Sequence, residues 1–507
     1  MSELEPPTSD GPGAEPSPAS TSGVASARRT VLKNTSLLFG AKVLAIPITV
    51  GANALYGRFL GPELYSYSYL AGQLVSFGGL FVLLGGNGVL PASVARDRSS
   101  AGRILGSALA WRLAISIPVY VCLAVVSRLL NYTAEFQAVL ALAMLVAVAN
   151  AVGSAFQDVV RGYERADLEA MTSVGTPFLS VALSVPVLLL GGRLKALQVV
   201  ELTCALVAFL VAARFLRRVD PTVRPSADRP TVRTMLGQGL PFLFFGLALT
   251  LQPGIDAVFL SKLAPTAAVG WLAAARRLVG LLVFPASALI SALYPVLCRL
   301  HVTDNEAFNQ TTRSAIESSL LIALPAALGC GLFPELGIGI FGEKKFGPAE
   351  DDLRILAGFI LLGYLSMPIG SALLAGGKAN AWSLVQMLCI VFSVVLDPIL
   401  IPYFQRTRGN GGLGVCVATV VSEVFMVAMG IWLLPRGVLD RTLLKRVGLY
   451  LLAALAMAAP VAALPRVTAL MVAPLSVIAY ATALWALGLV SRQQLSNLRN
   501  LVRPRAA

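Results

Sequence analysis

Apolar residues arrive along this chain in long runs, from about Leu37 to Val490, broken only by short stretches of Gly, Pro and charge. A helix needs roughly 20 mostly apolar residues to cross a bilayer. Backbone inside lipid must also satisfy its own polar groups, so runs of this length read as transmembrane helices. Fourteen follow, at residues 34–56, 68–91, 105–127, 135–157, 171–191, 197–216, 239–261, 267–296, 313–336, 352–375, 382–403, 412–433, 447–464 and 469–490. The split between the last two, at Pro465-Arg466, is the least sharply marked. The expected fold is all-α, a polytopic membrane protein of about fourteen transmembrane helices with almost no mass outside the bilayer.

The breaks divide the chain. Residues 1–30, rich in Pro, Ser, Gly and Ala, have no apolar stretch and read as a disordered cytoplasmic tail. A six-helix lobe is expected over 31–216, a proline- and charge-rich cytoplasmic linker over 217–238, and a second six-helix lobe over 239–433. Two extra helices over 447–490 and a basic tail over 491–507 complete the chain. Six crossings return the chain to its starting side, so any repeat between the lobes is parallel. Arg58-Phe59-Leu60 with Tyr69-Leu70-Ala71 matches Val258-Phe259-Leu260 with Trp271-Leu272-Ala273, and Val89-Leu90-Pro91 matches Leu293-Tyr294-Pro295. Basic loops stay cytoplasmic. With the N-terminus inside, 25 of the 40 Lys and Arg residues fall inside and 10 outside, which predicts cytoplasmic termini for a multi-pass protein.

Composition agrees. The chain is 56% apolar and 13% charged, against about 45–50% and 25% in soluble domains. The net charge of +14 is scattered through loops rather than massed on one segment, which argues against a nucleic-acid partner. Cys122, Cys204, Cys298, Cys330, Cys389 and Cys416 sit in or beside apolar runs without metal-like spacing. His301, the one histidine, lies in a loop with no catalytic partners. Neither a cofactor nor a metal is called for, and no loop is long enough to hold a sugar donor, so an enzyme is the weaker reading.

Chemistry is left to ionisable groups within spans, each costing roughly 2.5–3.5 kcal/mol at a helix centre on the insertion scale. Lys42 lies in the first span, and Arg276 and Arg277 lie well inside the eighth. These three are the candidate substrate-binding residues. Asp256 in the seventh span has Gln252 one turn earlier on the same face, with Pro253-Gly254 between. These two are candidates for ion coupling, and a structural ion pair between Asp256 and Arg276 or Arg277 is the competing expectation. Arg112 is expected to reach out to water from near the membrane edge. Glu317, Arg354, Asp397 and Glu423 read as interfacial or helix-pairing residues. A cavity between the two lobes, positive at mid-depth, would suit an anionic ligand moved by alternating access.

Four stretches resemble polysaccharide flippases of the multidrug/oligosaccharidyl-lipid/polysaccharide exporter superfamily. They are GRFLGPELYSYSYLA (57–71), GLPFLFFGLALTLQPGIDAVFLSKLAPTAAVGWLAAARRL (239–278), FGEKKFGPAEDDLRILA (341–357) and LDPILIPYFQRTRGNGGLGVCVAT (396–419). Asp397 departs from the family's usual Asn. The resemblance implies two six-helix lobes plus two C-terminal helices and export of a lipid-linked (polyprenyl-pyrophosphate) oligosaccharide for surface polysaccharide assembly. The partners it implies are that anionic cargo, membrane lipid and other polysaccharide-assembly proteins. The alternatives are a drug/cation antiporter of the same superfamily, which would carry an acidic cavity and usually twelve spans, and a membrane glycosyltransferase or polymerase. The topology makes a direct prediction. In intact cells a membrane-impermeant maleimide should label Arg408→Cys and should reach Arg224→Cys only after permeabilisation.

Overall fold

The computed structural model describes residues 18–489 apart from Gly85, Asn87, Pro465 and Arg466, with side chains from residue 40 onward except at a few positions that include Lys42. The described residues form helices and turns. In order the helices are α1 (Pro18–Val82), α2 (Val89–Arg96), α3 (Ala101–Leu129), α4 (Ala134–Gly162), α5 (Ala166–Leu189) and α6 (Leu194–Val219). There follow α7 (Arg229–Leu263), α8 (Thr266–Thr303), α9 (Asn305–Leu332), α10 (Pro334–Ile338), α11 (Glu343–Phe346) and α12 (Ala349–Ala375). The last are α13 (Ala379–Arg408), α14 (Gly412–Leu433), α15 (Arg441–Leu455), α16 (Ala458–Ala463) and α17 (Ala469–Ala486).

Among the described residues, twelve segments are long and apolar enough to cross a membrane. The first of them, Val43–Val82, is two crossings rather than one, because the backbone leaves the helix at Gly61 (φ 76°, ψ 170°). Only glycine adopts that conformation without strain, and the following Pro62 also disfavours helical geometry at its predecessor. The Leu60-Gly61-Pro62-Glu63 sequence is therefore a turn between two crossings. α7, at 35 residues, is long enough to add another. The total is the fourteen read from the sequence, with α15 and α16 together making one. α1 opens at Pro18, inside the stretch read as a tail, and the tail after residue 490 and the Pro465-Arg466 break lie outside the described residues. The short helices α2 and α10 begin within the predicted spans 68–91 and 313–336 and run past their ends, and α11 lies in a connection read as loop.

The side on which α1 begins is here called the near face, and the side of the Gly61 turn the far face. α1, α3, α4, α5 and α6 pack on one another, and α7, α8, α9, α12, α13 and α14 form a second group, with α1 against α7 and α8 as the main seam. One apolar core continues across that seam, from Tyr65, Leu70 and Phe136 to Leu260, Leu272 and Ile360. A second core joins α9, α12 and α14 to α15 and α17. Large apolar side chains on the outside, such as Leu190, Ile117, Phe178 and Trp432, are exposed, as lipid-facing residues would be.

Glycine decides the closest approaches. A Cβ on Gly270 would stand 2.1 Å from the Pro62 carbonyl oxygen, so α8 crosses directly over the Gly61 turn. A Cβ on Gly414 would stand 2.6 Å from Leu400 and Ile401 backbone atoms, which is why the Gly-rich stretch before α14 seats that helix so tightly on α13. On the near face, the Asp228 and Ser226 amides donate to Ser107 Oγ (3.1 Å) and to the Gly102 carbonyl (3.0 Å), fastening the linker to α3. Tyr163 donates to Asp220 at 2.7 Å. Burial, then that carboxylate, push the Tyr163 hydroxyl up to about 12.

Arg112 corrects the sequence reading. It turns inward, not out to water, and is 2% exposed. Its Nη1 donates to Ala151 O (2.7 Å) and Ser154 Oγ (3.0 Å), and its Nη2 to Asp158 Oδ2 (2.9 Å). Arg161 contacts the other Asp158 oxygen at 3.5 Å and Glu169 at 2.7 Å. Gly86 leaves the room, since a Cβ there would stand 2.4 Å from Arg112 Nη2. A desolvated carboxylate one helix away outcompetes the reach to water, because removing either buried charge strands the other. Asp158→Ala should therefore lower stability by about 3–5 kcal/mol, and the double substitution Arg112→Leu/Asp158→Leu by less than either single change. Thermal unfolding in detergent measures both.

Candidate functional site

α8 enters the protein at the far face with Gly270 against the Gly61 turn and with Ala273, Ala274 and Ala275 fully buried. The next two residues are Arg276 and Arg277. Successive helix positions are about 100° apart, and the two guanidiniums go to different places. Arg276 turns to the second helix group. Its Nη2 pairs with Asp256 Oδ2 and lies 3.5 Å from Thr419 Oγ1, and its Nη1 lies 3.3 Å from the Tyr69 hydroxyl on α1. α7 stays one helix through Pro253-Gly254 and delivers Asp256, 1% exposed, to this contact. Gln252 donates from the same face to Ser393 on α13 at 2.9 Å.

Arg277 is exposed and forms no ion pair among the described residues. It lines two adjoining recesses. One, of about 440 Å³, is walled by Thr49, Asn53, Tyr56, Asn150, Gln198 and Glu201. The other, of about 560 Å³, is shared with Arg276 and with Thr49, Asn53, Ser173 and Phe284. A third recess, of about 440 Å³, continues past Ser76, Asn150 and Ser154 toward Leu84 and Gly239 near the near face. Together they form a hollow between the first helix group and α8, apolar over most of its wall but studded with polar side chains.

Of the residues singled out in the sequence, Arg276 and Arg277 line an internal hollow, and the ion pair with Asp256 forms at Arg276 alone. The side chain of Lys42 lies outside the described residues. Glu201 was missed. It accepts from Ser180 Oγ (2.6 Å) and from the Tyr56 hydroxyl (3.1 Å), which also lies 2.7 Å from Ser184 Oγ. A carboxylate in the Val199-Val200-Glu201-Leu202 run of the sixth span was the available signal, weakened because it sits close to a span end.

Asp397 also proves more central than an interfacial residue. It is fully buried on α13 with its carboxyl group against that of Asp256, and no other side chain hydrogen-bonds it. Glu317 and Arg354 are peripheral, whereas Glu423 is buried between α14 and α12. Glu317 pairs with Arg446 at 2.7 Å, Arg354 pairs with Asp351 on its own helix, and Glu423 accepts from Ser366. His301 is exposed and stacks near Phe308. Asp352, at the start of α12, is buried and accepts from Asn410 at 2.9 Å, bracing the turn before α14.

Fourteen crossings in two helix groups, meeting at one seam with a hollow beside it, define a polytopic α-helical membrane protein. The structure is similar to that of a lipid II flippase, MurJ, in an inward closed conformation, with TM-score 0.70 and 12% identity over 92% of this chain and 100% of that one. It is similar also to an inward-facing multidrug-resistance MATE family transporter of the MOP superfamily, with TM-score 0.60 and 17% identity over 76% and 94% of the chains. A MOP superfamily transporter from Pyrococcus furiosus matches with TM-score 0.53 and 18% identity over 82% and 96%. Residues 31–301 match the family of polysaccharide biosynthesis proteins, and the chain belongs to that family. No curated protein matches it in sequence.

The two carboxylates beside Arg276 should respond differently to neutralisation. Asp256→Asn removes the partner of a buried guanidinium and should lower stability by about 3 kcal/mol. Asp397→Asn relieves an unpartnered carboxylate and should raise it by about 1 kcal/mol. Melting temperatures of the two purified variants decide this.

Proposed function

We propose that the protein translocates a lipid-linked (polyprenyl-pyrophosphate) oligosaccharide across the inner membrane by alternating access, with the diphosphate received at Arg277. One observation carries this reading. Arg277 forms no ion pair among the described residues and faces a hollow whose largely apolar walls carry hydroxyl and amide groups and the Glu201 carboxylate. A guanidinium free of an ion pair is a good receptor for a phosphate, to which it can bond through two parallel N–H groups. The Asn53, Asn150 and Gln198 amides, and the Tyr56 and Glu201 pair, suit sugar hydroxyls in the same hollow. Arg276 sets the positive potential from behind, held in place by Asp256.

In this reading the near face is cytoplasmic, because most loop Lys and Arg residues fall there, and residues 31–216 and 239–433 move as two lobes about the α1–α8 seam. The far face is closed. Tyr132 bonds Ser261 at 2.7 Å, and the Lys262 ammonium sits 3.4 Å above the Tyr132 ring and bonds the Leu130 carbonyl, joining the first helix group to α7. A drug/cation antiporter would offer an acidic cavity, whereas Asp256 and Asp397 are buried behind Arg276 and the Glu201 carboxylate in the hollow is engaged by the Ser180 and Tyr56 hydroxyls.

The test is reconstitution in liposomes with a fluorescent polyprenyl-pyrophosphate oligosaccharide. Arg277→Ala should cut translocation by about a hundredfold, the scale of losing a charge-assisted bidentate contact, while Arg277→Lys should keep part of it. Unchanged translocation in Arg277→Ala would sink the proposal.

A further inference from the structure

A second cationic recess lies at the far face, on the other side of the seam from Arg277. Arg58 from the first arm of α1 and Lys344 and Lys345 from α11 line a hollow of about 350 Å³, together with Gly339, Phe341 and Gly342. All three basic side chains are exposed, and none forms an ion pair among the described residues. Two contacts bring them together. A Cβ on Gly342, which has φ 109°, would stand 3.8 Å from Arg58 Cγ, and one on Gly61 would stand 3.9 Å from Lys345 Nζ. The Trp271 indole donates to the Lys345 carbonyl at 3.0 Å, fixing the lysine segment to the start of α8.

Beneath the recess is an aromatic plug. Tyr65 from the second arm of α1 packs on Phe341 and Phe346, with ring centroids 5.9 and 6.0 Å away, and all three rings are buried. Gly57 admits them, since a Cβ there would stand 2.8 Å from Phe341. Tyr65 also lies within electrostatic reach of Arg277 on its inner side. The plug therefore separates two unpaired cationic sites, one facing the internal hollow and one facing out.

Three like charges gathered from two different parts of the chain repel one another unless an anion sits among them. We infer that the Arg58–Lys344–Lys345 recess binds a phosphate-bearing anion, and that the bound anion clips α1 to the 339–346 segment and so holds the far face shut. The ligand chemistry is a phosphate or diphosphate, supplied either in solution or by an anionic lipid headgroup at the membrane surface. Because the lysines belong to the second part of the chain and Arg58 to the first, the clip favours the closed arrangement over any in which these segments part. This goes beyond the role given to Arg277 and does not depend on it.

The experiment uses the full chain in lipid nanodiscs, with Cys122 and Cys298 replaced by Ser and spin labels at Ala134→Cys and Thr407→Cys, one on each helix group at the far face. The distance distribution is recorded with and without inorganic pyrophosphate at constant ionic strength, and in phosphatidylcholine against phosphatidylglycerol discs. The expected result is a shift to the short distance on adding pyrophosphate or phosphatidylglycerol, and the arm that responds identifies the source. Arg58→Ala/Lys344→Ala/Lys345→Ala should weaken the response about tenfold in ligand concentration, while Arg277→Ala keeps it. Should the triple variant not fold, Lys344→Gln alone should still weaken it severalfold. A response that survives removal of the three basic groups, that vanishes in Arg277→Ala, or that neither anion source produces, overturns the inference. Loss of translocation in Arg277→Ala with this response intact separates the fate of the two proposals.

Discussion

A guanidinium inside a bilayer must find its partners within the protein, and the centre of this molecule is arranged around that requirement at Arg276. Its contacts come from α1, α7 and α14, so one side chain draws on both helix groups. The backbone makes this possible before any charge is considered. Gly270 and the Ala273–Ala275 run let α8 lie directly on the Gly61 turn, which brings Arg276 within reach of both Tyr69 and Asp256. Once Arg276 is committed to Asp256, the register of the helix carries Arg277 about 100° around, away from that carboxylate and into the hollow. The fixed charge and the free charge are two consequences of one helix phase.

The helical architecture was legible because the signal for it is local. Each crossing announces itself by twenty apolar residues, and even the hinge between the first two is written in the Gly61-Pro62 pair. The same holds for Arg276, Arg277 and Asp256, whose depth follows from counting residues along a span. What could not be read was pairing between helices distant in sequence. Arg112 was assigned by its distance from a membrane edge, yet its fate depends on Asp158, 46 positions away on another helix. Glu201 and Asp397 each looked minor in isolation. The first gains weight only from Tyr56 and Ser180, and the second only from lying beside Asp256.

The two helix groups handle buried charge differently. In the first, Arg112, Asp158, Arg161 and Glu169 form a chain of alternating sign near one face, and Arg112 and Asp158 have each other as partners. In the second, Arg276 pairs with Asp256 alone, and Asp397 lies against Asp256 with no basic partner of its own. A satisfied network rigidifies the helices it joins, while a partly satisfied one leaves a site whose partners can change. The first group reads as a rigid scaffold and the second as the place where rearrangement is cheapest, directly behind the arginine that faces the hollow.

The last three helices hang entirely on the second group. Arg446 meets Glu317, and the Tyr480 hydroxyl reaches the Leu321 carbonyl, both on α9. No comparable packing ties α15, α16 or α17 to α3, α4, α5 or α6 among the described residues. One side of the molecule is therefore bulkier in the plane of the membrane and drags a wider ring of lipid with it. When two bodies of unequal size pivot against each other in a viscous sheet, the smaller swings through the greater angle, so the slimmer amino-terminal bundle should perform most of the tilting.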